Sequence, residues 1–137
     1  MGRILVDTNV LVDVLLPDPH WFEWSVDQMT LHSMTHTLCI NPIIYTELAQ
    51  RYESRLQLDR IITKLRLSWL ELDRDTLYLA SQAYALYQKR AGSKSNVLAD
   101  FFIGAQALQQ RCRLMTRDAQ RYQTYFPNVE LISPAVN

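Results

Sequence analysis

Glycine is scarce in this chain of 137 residues. Its three glycines, Gly2, Gly92 and Gly104, stand too far apart to build a phosphate-cradling loop of the dinucleotide-binding or P-loop kind, and they form no Gly-x-Ser-x-Gly nucleophile elbow. Cysteine is equally thin. Cys39 and Cys112 can make neither a four-thiolate zinc site nor a disulfide framework, and they read as buried free thiols of a reducing compartment. An excess of either charge is also missing: 14 Lys plus Arg balance 14 Asp plus Glu, so any polyanion must be met by a local patch rather than by a global field. The apolar opening MGRILVDTNVLVDVLLP carries Asp7 and Asp13 inside it, which argues against a signal peptide or a membrane span, and a soluble cytoplasmic protein is expected. With no internal repeat, low-complexity tract or Pro/Gly/Ser-rich linker, residues 1–137 read as a single domain.

What the chain does have is alternation. Arg3 to Asp7 suits a buried strand, and Thr8 to Leu16 continues at helical spacing until Pro17 stops it. His20 to Leu31 reads as a helix, Thr37 to Ile40 as a brief strand, and Asn41-Pro42 as the start of another helix, followed by one from about Ser54 to Leu65. Leu67 to Leu72 is a candidate third strand. Asp73 caps a long helix that closes on Lys89, Arg90 and Gly92. Val97 to Cys112 is helical, Arg113 to Thr116 a strand, Asp118 to Phe126 a short helix and Val129 to Ile132 a last strand. Strands alternating with helices predict an α/β fold: a mainly parallel central sheet of four to five strands flanked by helices on both faces, with function gathered beyond the carboxyl ends of the strands.

Four carboxylates fall where an acid is costly. Asp7 ends an apolar strand, Glu47 lies in the apolar helix INPIIYTELA, Asp100 is the single charge of NVLADFFIGAQAL, and Asp118 follows the strand RLMT. Each needs a cation, a proton or hydrogen bonds if it is buried. Three of them also have a plainer structural role open to them: Asp7 and Asp118 as helix caps, and Glu47 as the partner of Arg51 one turn on. Taken together the four can converge, since two follow parallel strands and two ride helices able to lean over the same sheet edge. Repulsion between carboxylates near 4 Å runs to about 4 kcal/mol per pair at an effective dielectric of about 20. Oxygen ligands without histidine or thiolate select Mg²⁺ or Mn²⁺.

The residues DTNVLVDVL, the isolated Glu47, ADFFIGAQAL around Asp100 and LMTRDAQRY around Asp118 together resemble the PIN-domain ribonucleases, over essentially the whole chain. The length and the tail TYFPNVELISP are similar to the VapC-type toxins of bacterial toxin–antitoxin pairs. The resemblance implies a three-layer PIN-like fold. It implies an acidic metal site of Asp7, Glu47, Asp100 and Asp118, supported by Asn9 and Thr116, and an endoribonuclease that uses Mg²⁺ or Mn²⁺ to hydrolyse RNA phosphodiester bonds. It further implies a homodimer inhibited by a small cognate antitoxin whose tail fills the active groove. Ile43, Ile44, Tyr45 and Leu48 are candidates to line a groove for an antitoxin helix, and packing beneath the sheet explains some of them equally well. Phosphate contacts are expected from Arg117, Arg121 and Lys94, whereas Lys89 and Arg90 read rather as solvated charges answering a helix dipole. Asp13, at helical spacing from Asn9, reads as a supporting or solvated acid.

Other constellations are weaker. His32, His36 and Cys39 have a superficially metal-like spacing but fall where a loop enters a strand, which sets zinc aside. Trp21, Phe22 and Trp24 read as core or dimer contacts rather than a base-stacking platform. Two rival functions are a phosphoryl-transfer hydrolase with a strand-end aspartate and a non-catalytic metal-binding interaction module. The first expects Asp-x-Asp where this chain has Asn9, and a nuclease assay separates the second. A receiver domain expects a lysine after the last strand, where Ser133 and Pro134 stand.

Overall fold

Ile4, Leu5 and Val6 are fully buried in succession, a run that only a strand covered on both faces can accommodate, and they form strand β1 (Arg3–Val6). The structure is a computed structural model and describes residues 2–90 and 97–134. After β1 come α1 (Thr8–Leu15), α2 (Phe22–Ser33), β2 (Thr37–Ile40), α3 (Pro42–Ala49), α4 (Arg55–Lys64) and β3 (Ser68–Trp69). Then follow α5 (Arg74–Arg90), α6 (Leu98–Gln109), β4 (Arg113–Met115), α7 (Gln120–Tyr125) and β5 (Leu131–Ile132). Among the described residues, no helix is long and apolar enough to cross a membrane.

The five strands are all parallel, in the order β3-β2-β1-β4-β5. Right-handed crossovers running outward from β1 in both directions place helices on the two faces of the sheet. The strand order reverses beside β1, so a crevice opens beyond the carboxyl ends of β1 and β4. Asp7 and Thr116 are the first residues past those two ends.

Local signals set most of the elements. The Asn41 side chain accepts from the Ile44 amide at 2.8 Å with Pro42 opening the first turn of α3, the Ser54 hydroxyl accepts from Gln57 at 3.2 Å, and Asp73 accepts from Thr76 at 2.8 Å. The helix after Pro19 begins two residues later than its periodicity predicts, because the Asp18 carboxylate takes the amides of His20 and Trp21 at 2.8 and 2.9 Å and holds that stretch as a turn. The third strand shrinks from the predicted 67–72 to Ser68–Trp69. It is an edge strand with both residues exposed, although the Leu70 amide still reaches the Ile40 carbonyl at 2.8 Å. The closing Gly92 lies outside the described residues. Two other helices close without glycine: Arg66 (φ 56°) and Arg111 (φ 55°) take the left-handed position after α4 and α6, and the next amides, of Leu67 and Cys112, return to the Ile62 and Ala107 carbonyls.

The buried aliphatic and aromatic side chains of the strands, α3 and α6 form a continuous core, in which each fully buried Leu, Ile or Phe contributes about 1.5–3 kcal/mol. Helix α6 is pinned on two sides. Gly104 lies directly under the Phe126 ring, so a Cβ there would collide with it. The buried Gln106 side chain accepts from Asn41 Nδ2 at 2.8 Å and donates to the Glu71 carbonyl at 2.9 Å. That amide bridge fixes α6 to the start of α3. The acids carried by these two helices are thereby set in register.

Candidate active site

Asp7, Glu47 and Asp100 line one cleft of about 280 Å³ beyond the carboxyl end of the sheet, together with Thr8, Asn9, Val12, Arg51 and Arg117. Three acids from three separate elements are thus brought together. Asp118 is not in this cleft. It is exposed and lines a neighbouring cavity of about 310 Å³ with Gln120, Arg121, Thr124 and Tyr125, close enough for its charge to act on Asp100.

Asp7 is 4% exposed and accepts from four hydrogen-bond donors. Its Oδ1 accepts from the Thr8 amide at 2.7 Å, which makes it the cap of α1 as well as a site residue. Its Oδ2 accepts from Thr116 Oγ1 at 2.8 Å, Tyr122 Oη at 3.0 Å and Asn9 Nδ2 at 3.4 Å. Asn9 and Thr116 therefore both hold Asp7 through the same carboxylate oxygen. Asn9 also holds the strand end by accepting from the Arg117 amide at 3.1 Å. Burial, and next the charge of Asp100, push the Asp7 carboxyl up to about 7, against the lowering effect of its donors. Asp100 is raised by burial and by Asp118, and held back by an Arg121 ion pair at 2.5 Å.

Glu47 Oε1 accepts from the Thr8 hydroxyl at 2.6 Å, whereas Arg51 reaches the Glu47 backbone carbonyl, not its carboxylate. The pairing of Glu47 with Arg51 is therefore not made through charge. Asp118 caps nothing: α7 starts from Ala119 with no side-chain cap, and the Asp118 amide binds Thr116 Oγ1 at 3.1 Å.

The cations are largely engaged. Arg117 binds Asp13 through Nε at 2.6 Å and Nη2 at 2.9 Å and lies over the Trp21 ring, 5.3 Å from its centroid. Asp13 is 1% exposed and also accepts from Ser25 Oγ at 2.7 Å, so it is a buried ion-pair partner rather than a solvated acid. Arg121 is committed to Asp100. Lys94 lies outside the described residues, while Lys89 and Arg90 end α5 in solvent. Trp21 covers Arg117 and meets Trp24 edge to face at 6.3 Å, and Phe22 is exposed. Ile44 and Leu48 are core residues. Tyr45 is half-buried against the core and the Trp69 ring, giving its hydroxyl to Asp59 at 2.8 Å. His32 and His36 pack edge to face, and Cys39 and Cys112 are buried free thiols.

Tyr122 is the site residue that sequence reasoning missed. It is 1% exposed, and its hydroxyl lies 3.0 Å from Asp7 Oδ2 and 3.4 Å from Asp100 Oδ1, bridging two acids 93 positions apart in the chain. One signal was available: Tyr122 and Phe126 are four apart on a short helix, and an inward tyrosine must find a polar partner.

As they stand, no three acidic, histidine or cysteine side chains among the described residues form a ready ligand shell, and Arg121, Thr8 and Tyr122 engage the carboxylates. The chemistry of the set nevertheless fits a hard cation. All its charged ligand atoms are carboxylate oxygens, and burial first of all raises both Asp7 and Asp100, with a neighbouring acid adding to it in each case.

The PIN domain family model matches residues 4–127. The chain belongs to the PIN domain family. PIN domains are nucleases, and PIN nucleases generally use divalent metal ions. Among solved structures, this PIN domain is similar to VapBC2 from Rickettsia felis bound to a promoter DNA fragment, at 18% identity and TM-score 0.73, covering 97% of this chain and 99% of that one. It is similar to VapBC-1 from nontypeable Haemophilus influenzae at 20% identity and TM-score 0.68, covering 96% and 97% of the two chains. It is also similar to the PIN domain endonuclease Utp24, at 21% identity and TM-score 0.54, covering 98% and 86%. At these identities the likeness is one of fold. Comparison with curated proteins finds no significant match.

Proposed function

We propose that this PIN domain is a Mg²⁺- or Mn²⁺-dependent endoribonuclease and acts as the VapC-type toxin of a toxin–antitoxin pair. The observation that carries the reading is the convergence of Asp7, Glu47 and Asp100, from the end of β1, from α3 and from α6, on one cleft at the switch point of a PIN sheet. Asp7, Glu47 and Asp100, joined by Asp118 from the rim, would hold the cation, which when bound supplies Lewis-acid chemistry on water and phosphate. Asn9, Thr116 and the Thr8 amide orient Asp7. Arg51 and Arg117 line the cleft where phosphate oxygens would lie, and Arg121 reaches them only by leaving Asp100. With no net charge on the chain, RNA affinity rests on these few arginines and falls with salt.

A cognate antitoxin partner is supported by the likeness of this fold to toxins in VapBC complexes. We read the protein as a cytoplasmic homodimer, as its resemblance to the VapC-type toxins implies. The test is to express the chain with and without a co-expressed candidate antitoxin, then incubate the purified protein with total RNA and Mg²⁺ or Mn²⁺ and map fragment ends. Discrete cleavage that is abolished by chelator and suppressed by the partner supports the reading. Cation uptake without cleavage would assign a non-catalytic binding module instead.

A further inference from the structure

Two neighbouring residues of α7 reach two different acids: Arg121 takes Asp100, and Tyr122 takes Asp7. The Tyr122 hydroxyl calls for an explanation, because a phenylalanine ring would fill the same buried space without a polar atom to satisfy. A phenol has one proton to give, and the shorter contact, 3.0 Å, assigns it to Asp7 Oδ2. That oxygen also receives Thr116 Oγ1 and Asn9 Nδ2, so its lone pairs are used up. Asp7 Oδ1 receives only the Thr8 amide and keeps one lone pair, and Asp7 lines the cleft that Glu47 and Asp100 share.

We propose that Tyr122 is a positioning residue of the cation site: its hydroxyl pins Asp7 through Oδ2, leaves Oδ1 as the oxygen offered to the cation, and sets the spacing between Asp7 and Asp100. This rests on the acids being a cation site, and it goes beyond that reading by assigning the ligating atom and the group that presents it. Hydrogen-bond partners of metal ligands are worth roughly 10–100-fold in metal affinity. Tyr122 binds nothing itself. Its effect therefore has to appear in cation affinity before any reaction occurs.

The experiment is Mn²⁺ titration of the metal-free full chain, with free ion read by electron paramagnetic resonance, for wild type and Tyr122→Phe. With far-UV circular dichroism unchanged, Tyr122→Phe is expected to bind Mn²⁺ at least tenfold more weakly. Binding within twofold of wild type overturns the proposal while leaving the cation site standing. Wild type that takes up no Mn²⁺ removes the cation site itself. Should Tyr122→Phe fail to fold, wild-type protein carrying ¹³Cζ-tyrosine decides the matter: Mg²⁺ is expected to shift the Tyr122 resonance, and an unmoved resonance under saturating Mg²⁺ overturns the proposal.

Discussion

The carboxylate of Asp13, 1% exposed, is held by the guanidinium of Arg117 through two hydrogen bonds of 2.6 and 2.9 Å. This pair ties α1 to the end of β4, and Ser25 adds α2 to the same knot. The two partners differ in exposure, since the Arg117 side chain remains 27% exposed. Removing the cation strands a buried charge, whereas removing the acid leaves a guanidinium that water can still solvate. Arg117→Met is therefore expected to cost about 3 kcal/mol or more, and Asp13→Asn roughly half of that, in urea unfolding near neutral pH. Equal losses would contradict the asymmetry.

Asp7 makes the metal-free protein sensitive to pH. Its carboxyl titrates near 7 in the folded chain against an ordinary value of 3.8, with burial as the main cause and Asp100 the next. The folded state thus binds this proton more tightly than the unfolded state. The associated stability is complete below about pH 4 and is lost as pH rises towards and through 7, a difference on the order of 4 kcal/mol. Asp7→Asn keeps a side-chain oxygen for the cap of α1 and has no such proton to lose. In chelator, wild type is expected to lose stability between pH 5 and pH 8 relative to Asp7→Asn; parallel curves would contradict the assignment.

Arg121 competes for Asp100 Oδ2 with any cation the site takes. The Arg121 side chain is about a quarter exposed, so solvent weakens this competition without removing it. Arg121→Gln is expected to tighten Mn²⁺ binding about fivefold while weakening RNA capture. Equilibrium dialysis with Mn²⁺ measures the first effect and filter binding of RNA in chelator the second. Unchanged Mn²⁺ affinity would show that the ion pair gives way at no cost.

The legible features were those written locally. A polar residue closing an apolar run placed Asp7, Asn41-Pro42 announced α3, and the alternation of short strands with helices led to the parallel sheet. One of its strands, β3, came out shorter because an edge position gives half of its residues no partner. What could not be read depends on contacts between distant segments. Asp13 and Arg117 are 104 positions apart, and Asn41 and Gln106 are 65 apart; Asp13 read as a supporting or solvated acid, Arg117 as a phosphate contact and Asn41 as a helix start, and only the fold supplies the partner that each one meets. Asp118 illustrates the same limit from the other side: its place after β4 was evident, but not that the chain turns it onto the rim beside Asp100 rather than into the cleft. Tyr122 combines the two cases, an aromatic at core spacing whose hydroxyl acquires meaning only when β1 and α6 arrive beside it.

The claim on which the account stands is that acids from separate elements form one cation site. Calorimetric titration of Mn²⁺ into metal-free wild type, Asp7→Asn and Asp100→Asn tests it most directly. Saturable uptake by wild type, weakened at least tenfold in each variant while both keep their fold, is the expected result. No uptake by wild type, or uptake by both variants as strong as that of wild type, would contradict it.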